Sequence, residues 1–444
     1  MSGFFGLLQR RGPSPDTVLC QQLLEAQAYR GPDHSNAWCE AHAALGHSLL
    51  ATTAELGREP QPFRQHHGGA VISADVRLDN RAELGTRLGL TKSALPQMGD
   101  AQLILEAWQR WGEECPQYLL GDFAFTLWDP QRQILFGARD HLGIKPFYYH
   151  LSNELCMTAS DTLTLLAHPA ISTALNEYRI ADFFFDAMEA ADLSSTFYNS
   201  LQRLPPAHSI SVDMHRVRRL CYWQPQPDMS CSRMSQQDAD DAFIAVLQQA
   251  VACRLPSSNA AGILLSGGVD SALVTGVAAG LNEAGTALSP TTYSAISGDR
   301  NCGETSAIST LQQQLNLPAK VLPLEQEQQV PDLSFAPFMA SCEPFDMSMT
   351  LVRRLYSAAA QNNQRVLLDG VEGDLPHSLL TDYPASLLLQ GSYLSAWREA
   401  LGLQHNHFNG YNSLAKTLRQ SLLPGLIPKP LRRGSLWTAV RPPR

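Results

Sequence analysis

Residues 261–281, AGILLSGGVDSALVTGVAAGL, decide the fold of the second half of this chain. The apolar run predicts a buried strand over Ile263–Leu265, and an apolar helix is predicted to follow the SGGVDS loop at 266–271. A glycine-rich loop between a strand and a helix lets backbone N–H groups approach phosphate oxygens, and the helix dipole adds to the attraction. The stretch therefore predicts a phosphate-binding loop.

This loop has the features of a nucleotide site without being a Walker loop, because it lacks the Gly-Lys-Ser/Thr ending. Ser266 and Ser271 offer hydroxyl donors, whereas the carboxylate of Asp270 suits an anion site only where it holds a divalent cation. The alternative interpretation is a Ser/Gly turn that caps a helix. The order of strand, loop and helix favours the nucleotide site.

A second strand end is predicted in RVLLDGVEGD at 365–374. Leu367 and Leu368 are expected to end a strand just before Asp369. Ligands of a doubly wound sheet bind beyond the carboxyl ends of its strands. Asp374 is therefore expected to face Asp270 across the bound phosphate group and its divalent cation.

The two halves of the chain have different patterns. From residue 236 onward, helical segments alternate with short apolar strands, which predicts a parallel sheet covered by helices on both faces. Residues 1–215 contain short β-rich runs around the helical pattern DAQLILEAWQRWG at 100–112, which predicts an α+β sandwich. We expect domains over 1–215 and 236–444, joined by a Pro- and Ser-rich linker at 216–235.

Composition excludes several classes of protein. The 444 residues carry a formal net charge of -9, which argues against a nucleic-acid-binding protein. The 9 cysteines show no CxxC or zinc spacing, so reduced thiols and a cytoplasmic location are expected. The start of the chain lacks a signal-peptide pattern, and no apolar run is long enough to predict a membrane span.

Together these motifs resemble the asparagine synthetase family, and within it the lasso peptide cyclases. The resemblance runs from residue 1 to about residue 430 and includes RGPDHSNAW at 30–38, GDFAFTLWD at 121–129 and ARDHLGIKPFYY at 138–149. RLDNR and DGVEGD lean toward the cyclases. The resemblance implies an α+β sandwich of the class II glutamine amidotransferase (Ntn) type. An α/β parallel-sheet ATP pyrophosphatase domain, of the PP-loop or HUP-like class, is expected to follow it.

The resemblance also implies that the first domain has lost glutaminase activity. Glutamine-using members have Cys at the second position, and this chain has Ser2, a poorer nucleophile. They place Arg where Leu49 stands, and Asn-Gly oxyanion donors where Asp75 and Val76 stand. A carboxylate aimed at a developing oxyanion would repel it. Only Asp100 still matches a glutamine-binding residue, so Ser2 is interpreted as a remnant.

In the second domain the resemblance implies ATP and Mg²⁺ as cofactors. The metal ligands implied are Asp270 and Asp374. The implied ATP-binding positions are Leu265, Ser266, Gly267, Gly268, Val269, Asp270, Ser271, Ile296, Asp369 and Gly370.

Four further residues are candidates for the catalytic set. Glu304 and Glu343 match acidic positions that help to bind substrate, although each could equally be a solvated or capping carboxylate. The position of the synthetases' catalytic Glu holds Val371, so the neighbouring Glu372 is the candidate there. The family carries a catalytic lysine in a region beyond this chain, which is expected to be shortened at its C-terminus, and Lys429 is the candidate for that role.

The function predicted is that of an ATP-dependent ligase. It would adenylate an Asp or Glu side chain of a precursor peptide and join that side chain to the peptide's N-terminal amine, as in a lasso peptide macrolactam cyclase. Its expected partners are the precursor peptide, a leader-peptide-binding protein and a leader protease. Two alternatives remain: an amide-forming enzyme like asparagine synthetase or β-lactam synthetase, and a non-catalytic scaffold that binds ATP or peptide.

Overall fold

The computed structural model describes most of the first 323 residues and parts of the remainder. It divides into two compact units, Met1–Asp369 and Gly370–Arg444. In the described residues, no helix is both long enough and apolar enough to cross a membrane. The residues described are 1–53, 56–65, 69–184, 192–226, 228, 230–255, 261–281, 290–299, 302–323, 350–371, 373, 383–389 and 391–406.

The first unit begins with two antiparallel sheets of six strands each, as the β-rich runs predict. The first sheet has the strand order β10-β8-β9-β1-β3-β2, and the second has the order β12-β11-β7-β6-β5-β4. The strands of the first sheet are β1 (Gly3–Gln9), β2 (His34–Glu40), β3 (Ala43–Leu49), β8 (Tyr148–Leu151), β9 (Leu155–Ala159) and β10 (Gln202–Arg203). Those of the second are β4 (Phe63–Arg64), β5 (Val71–Leu78), β6 (Gly121–Asp129), β7 (Ile134–Arg139), β11 (His208–Val212) and β12 (Val217–Cys221).

These sheets form a sandwich with helices on its outer faces. Alternate side chains of a strand point to opposite faces, so Phe4 of β1 packs in the layer between the sheets while Phe5 packs outward with Leu23. The sandwich therefore has four layers, helix–sheet–sheet–helix. Its helices are α1 (Thr17–Gln27), α2 (Arg81–Leu88), α3 (Asp100–Trp111), α4 (Thr162–Leu166) and α5 (Glu177–Phe184).

The sandwich extends further along the chain than the sequence pattern predicts. Strand β12 pairs with β11 from Val217↔Val212 to Cys221↔His208. It lies inside 216–235, the segment expected to be a linker. The sequence VRRLC does not predict this strand, because an edge strand that is mostly exposed needs few apolar residues.

The remainder of the first unit is the predicted parallel sheet, in the order β15-β14-β13-β16. Ile263 packs on one face with Val251 and Ala278, and Leu264 packs on the other face with Leu355. Helices therefore cover both faces. The elements are α6 (Gln236–Ala252), β13 (Ala261–Leu264), α7 (Val269–Leu281), β14 (Thr291–Ile296), α8 (Gly303–Leu315), β15 (Ala319–Pro323), α9 (Thr350–Gln361) and β16 (Val366–Leu368).

The described part of the second unit contains the helices α10 (Tyr383–Leu389) and α11 (Tyr393–Asn406). A turn at Gly391 joins them, and Ser392 donates its backbone N–H to the carbonyl of Leu387 at 2.9 Å.

Candidate active site at the carboxyl edge of the parallel sheet

The SGGVDS motif connects β13 to α7 in the predicted order of strand, loop and helix, but the helix begins within the motif, at Val269, and not after it. Ser266 and Ser271 share a hydrogen bond between their hydroxyls at 3.0 Å, and the Ser271 hydroxyl also donates to the carbonyl of Gly268 at 3.1 Å. Ser271 is buried, while Ser266 and Gly268 are exposed. The serine hydroxyls also accept from the backbone N–H of Ser266 at 3.2 Å and from that of Gly268 at 3.4 Å, so the two serines brace the loop from inside.

Gly267 makes the tight bend of the loop possible. Its φ is +81°, in the left-handed region, and a Cβ atom there would lie 2.8 Å from the backbone carbonyl oxygen of Glu304. Any other residue at this position would strain the backbone, and its side chain would collide with that carbonyl oxygen. This close approach seats the loop against the first turn of α8, so the structure brings Glu304 beside the phosphate-binding loop.

The other predicted positions of the nucleotide site lie at neighbouring strand ends. Ile263 of β13 pairs in parallel with Thr292 of β14 and with Leu368 of β16. Parallel strands end at the same edge, so Leu265, Ile296 and Asp369 come together with the loop. Gly370 follows Asp369 directly and begins the second unit.

Tyr356 of α9 was not predicted as a site residue, and it lies close to this edge. Burial and then the negative charge of Asp369 raise the pKa of its hydroxyl above the usual value. Asp369 therefore acts electrostatically on the face of α9. No local pattern marks Tyr356, because only the packing of α9 on the sheet brings it there.

The loop suits a pyrophosphate group. The exposed Ser266 and the amino end of α7, a helix of 13 residues, offer donors that anions favour. Val269 is exposed and Asp270 is partly exposed in the first turn of that helix, where the carboxylate could help to hold Mg²⁺. In the chain as far as it is described, no group of three or more His, Cys, Asp or Glu side chains forms a metal site.

Four predicted site residues lie outside the described residues. They are the second metal ligand, Asp374, and three of the catalytic candidates, Glu343, Glu372 and Lys429. Their roles stay predictions.

A second concave site lies around Ser2, in a cavity of about 300 Å³ that also reaches Asp75, Lys145, Arg254 and Leu367. We call it the Ser2 pocket. The Ser2 hydroxyl is buried and accepts from the backbone N–H of Leu50 at 3.1 Å. It also lies 3.5 Å from the Leu50 carbonyl. The hydroxyl is thus tied to the end of β3.

The charges of the Ser2 pocket compensate one another. The amine of Lys145 lies 2.9 Å from Oδ1 of Asp75, and both side chains are largely buried. Burial would raise the pKa of Asp75, but the positive charges of Lys145, the N-terminal amine and Arg30 outweigh it and hold the pKa below its usual value. Burial also lowers the pKa of the N-terminal amine to about 6.

Asp100, the remaining match to a glutamine-binding residue, is also engaged within the fold. Its carboxylate accepts from the backbone N–H of Leu78 at 2.9 Å and forms an ion pair with Arg81. Leu49 is buried at the end of β3. Asp100 therefore holds the start of α3 to the end of β5, and Leu49 packs inside the sandwich.

Lys145 and Arg77 are charged lining residues that the sequence interpretation missed. Lys145 belongs to the motif ARDHLGIKPFYY, so the motif contained the residue but not its contact with Asp75. Arg77 follows Val76 and pairs with Asp122 at 3.0 Å. Neither contact follows from local spacing, because each joins residues far apart in the chain.

Two family descriptions match the chain: "Glutamine amidotransferase domain" at residues 1–223 and "Asparagine synthase" at residues 242–422. Glutamine-hydrolyzing asparagine synthetase 3 of Bacillus subtilis is 28% identical over 260 residues, which are 58% of this chain and 42% of that protein. Amidase chry2 of Gibberella zeae is 28% identical over 274 residues, which are 60% of this chain and 39% of that protein. The match thus covers about two-fifths of each relative's length.

Among solved structures, the Bacillus subtilis glutamine phosphoribosylpyrophosphate amidotransferase complexed with ADP and GMP is similar over 72% of this chain and 65% of its own. The identity is 13% and the TM-score 0.36. The family matches, the sandwich and the parallel sheet confirm the predicted fold class: an Ntn-type amidotransferase domain followed by an asparagine synthase domain.

Proposed function

The chain belongs to the asparagine synthetase family, and from that premise we propose that it is an ATP-dependent carbon–nitrogen ligase that forms AMP and pyrophosphate. The observation that carries the proposal is the SGGVDS loop, open to solvent at the carboxyl edge of a parallel sheet, with Asp270 in the first turn of α7. A loop that only capped a helix would not need a carboxylate in the first turn of that helix.

The proposed reaction has two steps. A substrate carboxylate oxygen attacks the α-phosphorus of ATP, the bond to the β-phosphate oxygen breaks, and pyrophosphate leaves. An amine then attacks the acyl carbon, AMP leaves with the bonding electrons, and the amine loses a proton. The loop amides and the hydroxyls of Ser266 and Ser271 would hold the pyrophosphate as its charge develops. Mg²⁺, held by Asp270 and Asp374, would neutralise part of that charge.

We further propose that the amine does not come from glutamine. A glutaminase needs a free nucleophile and hydrogen-bond donors that stabilise an oxyanion. The Ser2 hydroxyl is bonded to Leu50, and the nearby carboxylate of Asp75 is held ionised by Lys145. These contacts support a first domain that no longer releases ammonia.

For the substrate we propose a precursor peptide, whose Asp or Glu side chain is joined to its own N-terminal amine as in a lasso peptide cyclase. The motifs RLDNR and DGVEGD support this choice, and Val371 in place of a synthetase Glu leaves room for a larger acyl group. A leader-peptide-binding protein and a leader protease would act with the chain in the cytoplasm.

Asparagine formation is the second candidate function. The names of the curated relatives favour it, since several of those found are asparagine synthetases. The same ATP chemistry would serve it, with free aspartate as the carboxylate and ammonia as the amine.

The deciding experiment incubates the full chain with Mg²⁺-ATP and the leader-cleaved peptide, together with its partner proteins. We expect the peptide to lose one water and AMP to form instead of ADP. Conversion of aspartate and ammonia to asparagine would favour the second candidate. A chain that binds Mg²⁺-ATP and peptide without forming AMP would be the non-catalytic scaffold.

A further inference from the structure

Two sets of ion pairs join the amidotransferase sandwich to the parallel sheet inside the first unit. Arg365, the residue before β16, donates to both carboxylate oxygens of Asp33, with the Nη2–Oδ1 distance at 3.0 Å. It also donates to the carbonyl of Ala51 at 3.0 Å. Asp33 in turn accepts from the backbone N–H of Ala51 at 2.8 Å. One guanidinium thus binds two separate segments of the sandwich.

The second set involves Arg254, which follows α6. Its guanidinium lies 3.2 Å from Asp122 and 3.8 Å from Asp79, and Arg77 pairs with the same two carboxylates. Two arginines and two aspartates therefore form a network whose formal charges cancel. The network joins β5 and β6 of the sandwich to the chain between α6 and β13.

Both sets attach at the end of the parallel sheet opposite the nucleotide site. Ala261 and Val366 pair at the start of β13 and β16, directly after Arg365. Val366 is three residues before Asp369, and Ala261 is five residues before Ser266, the first residue of the SGGVDS loop. Since a short strand is stiff along its axis, the position of Arg365 sets the position of Asp369 relative to the loop.

We infer that Arg365 and Arg254 are positioning residues, through which the sandwich fixes the two strands that carry the nucleotide site. The inference rests on the proposed function. Because the side chain of Arg365 is 44% exposed, its ion pair adds little stability. Its bidentate geometry instead fixes direction and distance. The sandwich therefore positions the nucleotide site, a role that does not depend on glutaminase activity.

The test compares Asp33→Asn with the charge swap Asp33→Arg/Arg365→Asp in the full chain. We expect the KM for ATP to rise about fivefold in Asp33→Asn, with little change in the melting temperature. The swap should bring KM back to within about twofold of the unmodified chain. The control is Glu83→Gln, which breaks the more exposed Glu83–Arg87 pair within α2 and should leave KM unchanged.

Titration of the unmodified chain with Mg²⁺-ATP separates failure of this inference from failure of the proposed function. If the unmodified chain binds no nucleotide, the proposed ligase is wrong. If it binds and turns over ATP while Asp33→Asn has the same KM, the positioning role is wrong. A lower melting temperature with unchanged KM, or a swap that restores nothing, would also contradict the positioning role.

Discussion

The Ser2 pocket and the SGGVDS loop both lie beside a strand end, yet they differ in how far their polar residues are exposed. In the pocket, Ser2 and Asp75 are buried: Ser2 accepts from the backbone N–H of Leu50, and Oδ1 of Asp75 pairs with Lys145, while its Oδ2 has no hydrogen-bond partner among the described residues. In the loop, the serine hydroxyls bond to each other and accept from the backbone N–H groups of Ser266 and Gly268, while Ser266, Gly268 and Val269 are exposed to solvent. An exposed loop at the carboxyl edge of a parallel sheet can reach a ligand, whereas a buried ion pair mainly holds the fold.

Removing the carboxylate of Asp270 gives the largest expected effect. We expect Asp270→Ala to lower the rate of AMP formation by about 10²–10³, because one preorganised group that stabilises developing charge is lost. Asp241→Ala, which removes an exposed carboxylate from α6, is the control and should keep the full rate. Exchange of labelled pyrophosphate into ATP measures both. Equal rates in the two variants would show that the loop is no more catalytic than the Ser2 pocket.

The buried ion pair should dominate the stability of the Ser2 pocket. We expect Asp75→Asn to lower the free energy of unfolding by about 2–3 kcal/mol at neutral pH, because Lys145 stays buried with a weaker partner. Urea denaturation measures this. Asp240→Asn, at an exposed position on α6, should change it by less than about 0.5 kcal/mol.

The same variant should change how stability depends on pH. The folded pKa of Asp75 lies below its usual value, so the unfolded chain takes up a proton first as pH falls. The ion pair therefore stabilises the fold above pH of about 4 and loses that contribution as pH falls through the folded pKa. The difference between the unmodified chain and Asp75→Asn should shrink toward pH of about 3. A difference independent of pH would mean that Asp75 acts by shape alone.

A methyl group at Gly267 should damage the loop without removing any charge. We expect Gly267→Ala to weaken Mg²⁺-ATP binding by about tenfold, because the left-handed backbone and the carbonyl of Glu304 both oppose a Cβ. The control is Gly280→Ala in α7. A Cβ atom at Gly280 would have no heavy atom within 4 Å, so this change should leave Mg²⁺-ATP binding intact. Calorimetric titration compares the two. Unchanged affinity in Gly267→Ala would indicate that nucleotide does not use this bend.

The parts of the fold that the sequence predicted are those that depend on local patterns. The strand, loop and helix around Ser266–Ser271 follow from hydrophobic periodicity and glycine placement over 21 residues. The edge strand Val217–Cys221 was not predicted, because its pairing with β11, and not its own composition, makes it a strand.

The contacts that distinguish the two sites could not be predicted in this way. Lys145 and Asp75 are separated by 70 residues, and Arg365 and Asp33 by 332. No period or spacing links such pairs, since they meet only after three sheets have formed. The sequence predicted that Asp75 would disfavour an oxyanion, but not that a lysine would neutralise it.

The smallest expected effect concerns Ser2 itself. We expect Ser2→Ala to lower the free energy of unfolding by about 1 kcal/mol, because the backbone N–H of Leu50 loses its 3.1 Å acceptor in a buried place. Ser93→Ala, at an exposed position, should change it by less than about 0.5 kcal/mol. We also expect Ser2→Cys to release no ammonia from glutamine, because Asp75 and Leu49 still occupy the positions where a glutaminase needs oxyanion donors and an arginine. Measurable glutamine hydrolysis in Ser2→Cys would show that the pocket had lost only its nucleophile. The pocket would then differ from a working glutaminase site only in the Ser2 oxygen that stands in place of a sulfur.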